Sequence, residues 1–151
     1  MLQELYDFQK EKPGWIIKIH IINNDFHLRS ILWMLPQQVQ LWIRFCDVII
    51  TDDIYKTNWY DMALSLFIII DNYNQSRTVA QALIEDETES TFQWILDCIL
   101  RATNFLFPRV IFTDGDLAMA AAIRAKMPDT YHCICVFHIN QNFIKNLKGK
   151  L

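Results

Sequence analysis

The chain has 151 residues, of which 52% are hydrophobic and 13% aromatic, enough for one domain with a continuous core and too much for a disordered chain. Its net charge of -3 and pI near 5.7 argue against a basic surface spread over the whole molecule, so any nucleic-acid contact is expected to be local. No apolar run approaches the roughly 20 residues that span a bilayer, and no basic segment precedes an apolar one at the N-terminus. We therefore expect a soluble intracellular protein without membrane contact or a clear localisation signal.

The first 46 residues predict a lead-in made of a helix, a β-hairpin and a second helix. Leu2 to Lys10 has helical spacing and Pro13-Gly14 ends it. Trp15 to Ile22 and His27 to Met34 are rich in strand-forming residues, and Asn23-Asn24-Asp25 between them predicts the turn.

The second lead-in helix is predicted from Pro36, which suits a first helical turn, to Arg44. The spacing of its apolar residues predicts a buried side formed by Val39, Trp42, Ile43 and Phe45.

Three strands follow the lead-in. Cys46 to Asp53, Met62 to Asp71 and Thr78 to Ile84 are apolar, and the last two are separated by the turn-forming segment Asn72 to Ser76. Short connections of this kind predict an antiparallel meander.

Helices and strands then alternate. The pattern predicts a helix capped by Asp86 or Thr88 and ending at Thr103-Asn104. The remaining predicted elements are a strand at Arg109–Phe112, a helix at Leu117–Met127 with Asp116 as N-cap, a strand at His132–Phe137 and a helix at Asn140–Leu151.

The element order β-β-β-α-β-α-β is that of an α/β fold with a ribonuclease-H-like mixed sheet, in which the first and fourth strands lie side by side in parallel. We expect residues 1–46 to form the lead-in and residues 47–151 to form the sheet domain. This topology would place Asp52 beside Asp114, because both follow apolar strand segments.

Paired strand-end aspartates suggest a divalent-metal site, since carboxylates repel each other unless a cation lies between them. Strand alternation lets only one of Asp52 and Asp53 share a face with Asp114. The alternative is that each aspartate ends a strand or caps a helix, as we favour for Asp116. Spacing alone leaves both interpretations open.

Four segments in order resemble the catalytic domain of Mutator-like element (MULE) transposases, which plant transcription factors of the far-red-impaired-response type share. They are Phe45 to Asn58, Ala82-Leu83-Ile84 followed by Glu87 and Trp94, Ile111 to Asp116, and Cys135 to Ile139 leading to Asn142. Ile54 stands where the family has threonine, and Asp53 stands where it has a small residue.

The resemblance implies a DDE-type DNA recombinase of ribonuclease-H-like fold, with Asp52 and Asp114 as catalytic ligands of magnesium or manganese. Its third carboxylate would be a glutamate on a helix beyond the Cys135-to-His138 element, and no glutamate follows Glu89 here. The expected chain is therefore the N-terminal portion of such a domain, truncated before the last catalytic helix and inactive by itself. The resemblance also implies DNA transposon ends as partner, engaged through other parts, and a nuclear location, and it leaves self-association open.

Two alternatives concern motif residues and function. Cys135 and His138 are a thiol and an imidazole of the kind that bind zinc, but a structural zinc site needs four ligands, and we favour a structural role at the strand-to-helix corner. Glu87 belongs to the resemblance, although acidic residues are common in a first helical turn.

The alternative function is a domesticated, non-catalytic module in transcriptional regulation or partner binding, which leaves enzymatic activity open.

Overall fold

The computed structural model describes residues 2–22, 27–55 and 58–147, and these ranges hold five helices and seven strands. In chain order they are α1 (Leu2–Glu11), β1 (Ile16–Ile22), β2 (His27–Met34), α2 (Pro36–Phe45), β3 (Val48–Ile54), β4 (Ala63–Ile70), β5 (Ser76–Ile84), α3 (Glu89–Ala102), β6 (Val110–Thr113), α4 (Leu117–Lys126), β7 (Tyr131–Ile134) and α5 (Val136–Leu147). The predicted turn at Asn23-Asn24-Asp25 and the predicted helical residues 148–151 lie outside the described ranges. None of the helices in these ranges is long and apolar enough to cross a membrane.

The strands form one sheet in the order β1-β2-β5-β4-β3-β6-β7. Strands β3, β4 and β5 form an antiparallel meander, whereas β6 lies parallel to β3 and β7 parallel to β6. This arrangement confirms the predicted ribonuclease-H-like topology, in which the first and fourth strands after the lead-in, here β3 and β6, are paired in parallel. The lead-in hairpin extends the same sheet, because β2 pairs antiparallel with β5.

One face of the sheet forms the core together with α3. The central strands place Ile49, Phe67 and Ile111 on this face, and all three are fully buried. Helix α3 buries Phe92, Ile95, Leu96 and Ile99 at helical spacing and packs against α4. Each such side chain contributes about 1.5–3 kcal/mol through removal of apolar surface from water, so the core fixes the strand positions.

Helix α2 differs from the predicted pattern on one side. Trp42 is fully buried, and its indole Nε1 donates a hydrogen bond to the backbone oxygen of Leu106 at 3.0 Å. The expectation that Ile43 is buried is wrong, since 43% of it is exposed. The helix contributes a narrow stripe centred on Trp42, and Ile43, one residue further along, turns towards water.

The last strand is shorter than predicted and the last helix starts earlier. We expected strand to Phe137 and helix from Asn140, but β7 ends at Ile134 and α5 begins at Val136. The backbone N–H of Cys135 donates to Thr113 O at 2.7 Å, and the N–H of Ile139 then donates to Cys135 O at 3.1 Å. The sheet edge thus ends where β6 ends, and the chain turns directly into the helix.

Candidate active site

Asp52 and Asp114 lie at the carboxyl ends of two neighbouring parallel strands. Strand β3 pairs with β6 in the register Ile50 to Phe112, and continuing that register by two residues pairs Asp52 with Asp114. The Thr51 hydroxyl donates to Phe112 O at 3.3 Å and joins the strand ends. Parallel register partners point to the same face, so the sheet brings the two predicted aspartates to one corner.

Asp114 also builds the turn from β6 into α4. Its Oδ1 accepts a hydrogen bond from the N–H of Asp116 at 3.0 Å, and Asp116 Oδ1 accepts one from Met119 N at 2.9 Å, which confirms Asp116 as the N-cap of α4. Between them Gly115 has φ +96°, a conformation that residues with a Cβ rarely adopt. The turn uses Oδ1 of Asp114, so Oδ2 is the oxygen available for another partner.

Helix α5 approaches the same corner through His138. The Nε2 atom of His138 lies 3.7 Å from Asp52 Oδ1, and the His138 side chain is 24% exposed. Its Nδ1 atom is buried and has no hydrogen-bond partner among the described residues. Cys135 is half-buried directly before the helix. The Cys135-to-His138 motif therefore runs from the end of β7 into α5 and brings His138 close to Asp52.

Asp53 points to the face opposite Asp52 and lies beside Ser65 on β4. Burial raises the pKa of Asp53 to about 6; the Ser65 hydroxyl opposes this rise, and the negative charges of Asp114, Glu87 and Asp52 add to it. Neither Asp53 Oδ1 nor Ser65 Oγ has a hydrogen-bond partner of good geometry among the described residues. Asp53 is thus a buried acid behind the corner.

Glu87 and Tyr55 also lie within electrostatic reach of the corner. Partial desolvation raises the pKa of the largely exposed Tyr55, and the negative charges of Glu87 and Asp114 raise it further. Glu87 lies just before α3, and the cap of that helix is Thr88. The structure therefore places Glu87, singled out from the sequence, near Asp53 and Tyr55.

A cleft of about 500 Å³ opens between the corner and α5. Its walls are formed by Asp114, Gly115, Ile134, Ile139, Asn142, Phe143, Asn146 and Leu147. The strand ends thus supply a carboxylate to one side of the cleft and α5 supplies carboxamides to the other.

The model of the MULE transposase domain matches residues 48–142, which run from the start of β3 into α5. The chain belongs to the MULE transposase domain family. It is 29% identical to Protein FAR1-RELATED SEQUENCE 4 of Arabidopsis thaliana over 97% of this chain and 20% of that protein. It is 30% identical to Protein FAR-RED IMPAIRED RESPONSE 1 of Arabidopsis thaliana over 92% of this chain and 17% of that protein.

The matched stretch of this MULE domain thus spans about a fifth of the length of these two relatives. Among solved structures, the catalytic core domain of BIV integrase superposes with a TM-score of 0.39 at 12% identity, over 60% of this chain and 55% of that one.

The donor atoms at the corner of this MULE domain suit magnesium or manganese. Both ions prefer carboxylate and carbonyl oxygens, and magnesium commonly binds through one or two carboxylates while it keeps several waters. Asp114 Oδ2 and the half-exposed Asp52 carboxylate offer such oxygens. In the described ranges no three His, Cys, Asp or Glu side chains converge as a metal cage, so these residues fit a weakly held, hydrated ion.

The same finding bears on zinc at Cys135 and His138. A closed zinc site uses four nitrogen or sulfur ligands, and within residues 2–22, 27–55 and 58–147 no third metal-binding side chain joins this pair. His138 instead contacts Asp52.

Sequence reasoning did not identify the cleft-lining carboxamides as site residues. Asn142 entered only as the end of a motif, and Asn146 not at all. The available signal was their spacing, because His138, Asn142 and Asn146 recur every four residues and share one helix face once α5 begins at Val136. A helix assumed to start at Asn140 hides this relation to His138.

Proposed function

We propose that this MULE domain carries the metal-binding corner of a DDE-type DNA recombinase, with Asp52 and Asp114 as ligands of magnesium or manganese. DNA is the proposed substrate, and the 151-residue chain by itself is proposed not to cut it. The activity, substrate and nuclear location of any longer protein are part of this proposal, since the chain spans about a fifth of its curated relatives.

One observation carries the proposal: the parallel pairing of β3 with β6, which brings the ends of both strands to one edge of the sheet. The register from Ile50 and Phe112 leads to Asp52 and Asp114 two residues later, within the stretch matched by the family model. Asp52 lies within β3 and Asp114 directly follows β6, so the sheet places the two strand ends and the turn after β6 orients Asp114.

The residues of the corner divide the tasks. Asp52, held near His138, and Asp114, held by its own turn, supply oxygens in fixed positions. Asp53 lies behind them on the opposite face of β3, and burial raises its pKa to about 6. A divalent cation bound there would activate a water or sugar hydroxyl and stabilise the leaving oxygen in phosphodiester transfer.

Inactivity of the chain alone follows from the number of ligands. In-line phosphoryl transfer requires both the attacking and the leaving oxygen to be held in position. Loss of that positioning raises the activation barrier by several kcal/mol. Two carboxylates without a third acidic ligand hold a cation loosely, and no such three-residue group exists in the described part of the chain.

Manganese titration of the 151-residue chain by calorimetry tests the corner. Wild type should bind Mn²⁺ weakly, and Asp114→Asn should lower its affinity about tenfold or more, because the turn hydrogen bond to Asp116 can persist while the anionic oxygen is lost. Asp129→Asn, which makes the same charge change at an exposed position, is the control and should bind like wild type. Equal Mn²⁺ affinity in wild type and Asp114→Asn would contradict the proposed site.

A nicking assay on plasmid DNA with Mn²⁺ tests the second part. We expect no cleavage above background from the chain alone. Robust cleavage that disappears in Asp114→Asn would disprove inactivity and support the metal corner at the same time.

The second candidate function is a non-catalytic module for transcriptional regulation or partner binding. The similarity to two FAR-type plant proteins over more than nine tenths of the chain favours it. Tethering the chain to a heterologous DNA-binding domain in a reporter assay tests it. Regulation that is unchanged in Asp52→Asn and Asp114→Asn would support this function, and absence of any regulation would argue against it.

A further inference from the structure

The polar face of α5 lies against the metal corner. His138, Asn142 and Asn146 are four residues apart, so they follow one another along a single helix face. His138 approaches Asp52 to 3.7 Å, and Asn142 and Asn146 line the cleft that Asp114 also lines. Successive turns of α5 thus lie near the two aspartates, with His138 near Asp52 and Asn142 near Asp114.

The chemistry of this face complements that of the corner. A carboxamide oxygen is a neutral ligand that magnesium, manganese and calcium accept beside carboxylates. The Asn142 side chain is exposed to the cleft, and Asp114 keeps Oδ2 outside its turn. Asp114 and Asn142 thus line the same cleft, and a ligand role for Asp114 Oδ2 would leave the turn hydrogen bond intact.

We propose that Asn142 supplies a third oxygen ligand to the divalent cation held by Asp52 and Asp114. This inference rests on the proposed function, because it assigns a further ligand to the same site. Asn142 is preferred to Asn146 because it follows His138 by one helical turn, and Asn146 is a further turn away from Asp52. Waters complete the coordination, as is usual for magnesium.

Substitution by aspartate gives a test in which the affinity should rise. If position 142 reaches the ion, Asn142→Asp adds an anionic ligand and should raise Mn²⁺ affinity about tenfold, since affinity follows the charge of the ligands. Asn140→Asp places the same charge on the same helix about 200° around its axis, and should raise the affinity by less than about threefold. Asn142→Ala should lower the affinity, while Asn140→Ala should not.

Calorimetry with MnCl₂ on the full 151-residue chain measures all variants, and circular dichroism confirms that each retains the helical and strand content of wild type. Equal effects of Asn142→Asp and Asn140→Asp, with Asp114→Asn still lowering the Mn²⁺ affinity, would overturn the role of Asn142 and leave the proposed function standing. A gain confined to Asn146→Asp would likewise overturn the assignment. Unchanged binding in Asp114→Asn would remove the proposed site and this inference together.

Discussion

Two adjacent aspartates occupy different environments at the end of β3. Asp52 keeps 47% of its side chain exposed and lies near His138 of α5. Asp53 points to the opposite face, where it is mostly buried beside Ser65 and its pKa is raised to about 6. Strand alternation alone separates them, so one residue type provides an accessible carboxylate and a buried acid at neighbouring positions.

The raised pKa of Asp53 predicts that its ionisation weakens the fold. Between the unfolded pKa of about 3.9 and the folded pKa of about 6, the native state holds more protons than the unfolded state, so the free energy of unfolding falls as pH rises through this window. Asp53→Asn removes the buried charge and should stabilise the protein at pH 8 by about 2 kcal/mol, with little gain at pH 4. Urea unfolding at both pH values measures the difference.

The exposed Asp129 provides the matched control for that experiment. Asp129→Asn changes the net charge equally and should change the free energy of unfolding by less than about 0.5 kcal/mol at either pH. A stabilisation by Asp53→Asn that is the same at pH 4 and pH 8 would show that charge burial is not its cause.

At the scale of elements, α3 begins at a hydrogen-bonded cap that involves both Asp86 and Thr88, the two N-cap residues considered from the sequence. Thr88 is the N-cap and accepts from Thr91 N, while Asp86 Oδ1 accepts hydrogen bonds from the hydroxyls of Thr88 and Thr91. Arg29 of β2 adds an ion pair to Asp86 at 3.0 Å. Burial acts to raise the pKa of Asp86, but the threonine hydrogen bonds and Arg29 lower it overall.

Removal of this carboxylate should loosen the start of the helix. Asp86→Ala leaves two hydroxyls and Arg29 without their acceptor and should destabilise the protein by about 1–3 kcal/mol at pH 7. Because the folded pKa is lowered, the contribution is present above the unfolded pKa of about 3.9 and is lost as pH falls through the folded pKa. Chemical unfolding of Asp86→Ala against Glu89→Ala measures it, and equal losses in both variants would refute the cap.

The elements that sequence predicted best are those with a single uninterrupted period. Strand β4 and helix α3 have continuous apolar patterns, and both were found close to their predicted bounds. The boundary between β7 and α5 was missed because alternation from His132 to Phe137 continues past the last sheet hydrogen bond, which Cys135 gives to Thr113. A short edge strand ends where its neighbour ends, and that is a tertiary constraint absent from local sequence.

The site divides in the same way. Asp52 and Asp114 follow directly from strand ends, so pattern and topology were enough to bring them to one corner. The approach of His138 and Asn142 depends on how α5 leaves the sheet, at the point where Cys135 makes the last hydrogen bond to β6 and accepts the first one of the helix. Sequence spacing therefore predicted the position of the two carboxylates but not the position of the helix that faces them.

At the scale of the whole molecule, the two faces of the sheet are covered unequally. Helices α3 and α4 bury one face, whereas α5 has no buried residue among those described. Its exposed apolar side chains are Val136, Phe137, Ile139, Phe143, Ile144 and Leu147. An apolar helix face of this extent marks a surface that interacts with other apolar groups.

This exposure predicts that the folded chain binds an apolar dye through α5. Phe143 is 63% exposed, and Phe143→Ser removes apolar area from the centre of the face without altering the core, so it should lower 8-anilinonaphthalene-1-sulfonate fluorescence at least about twofold. Tyr73→Ser removes a 77% exposed aromatic ring at the β4–β5 turn, outside the α5 face, and should leave the fluorescence close to wild type. Fluorescence titration at constant protein concentration, with unfolding curves to confirm folded samples, distinguishes the two. Equal losses of fluorescence in both variants would contradict this prediction, because Tyr73 lies outside the apolar face of α5. The dye would then respond to exposed aromatic rings in general.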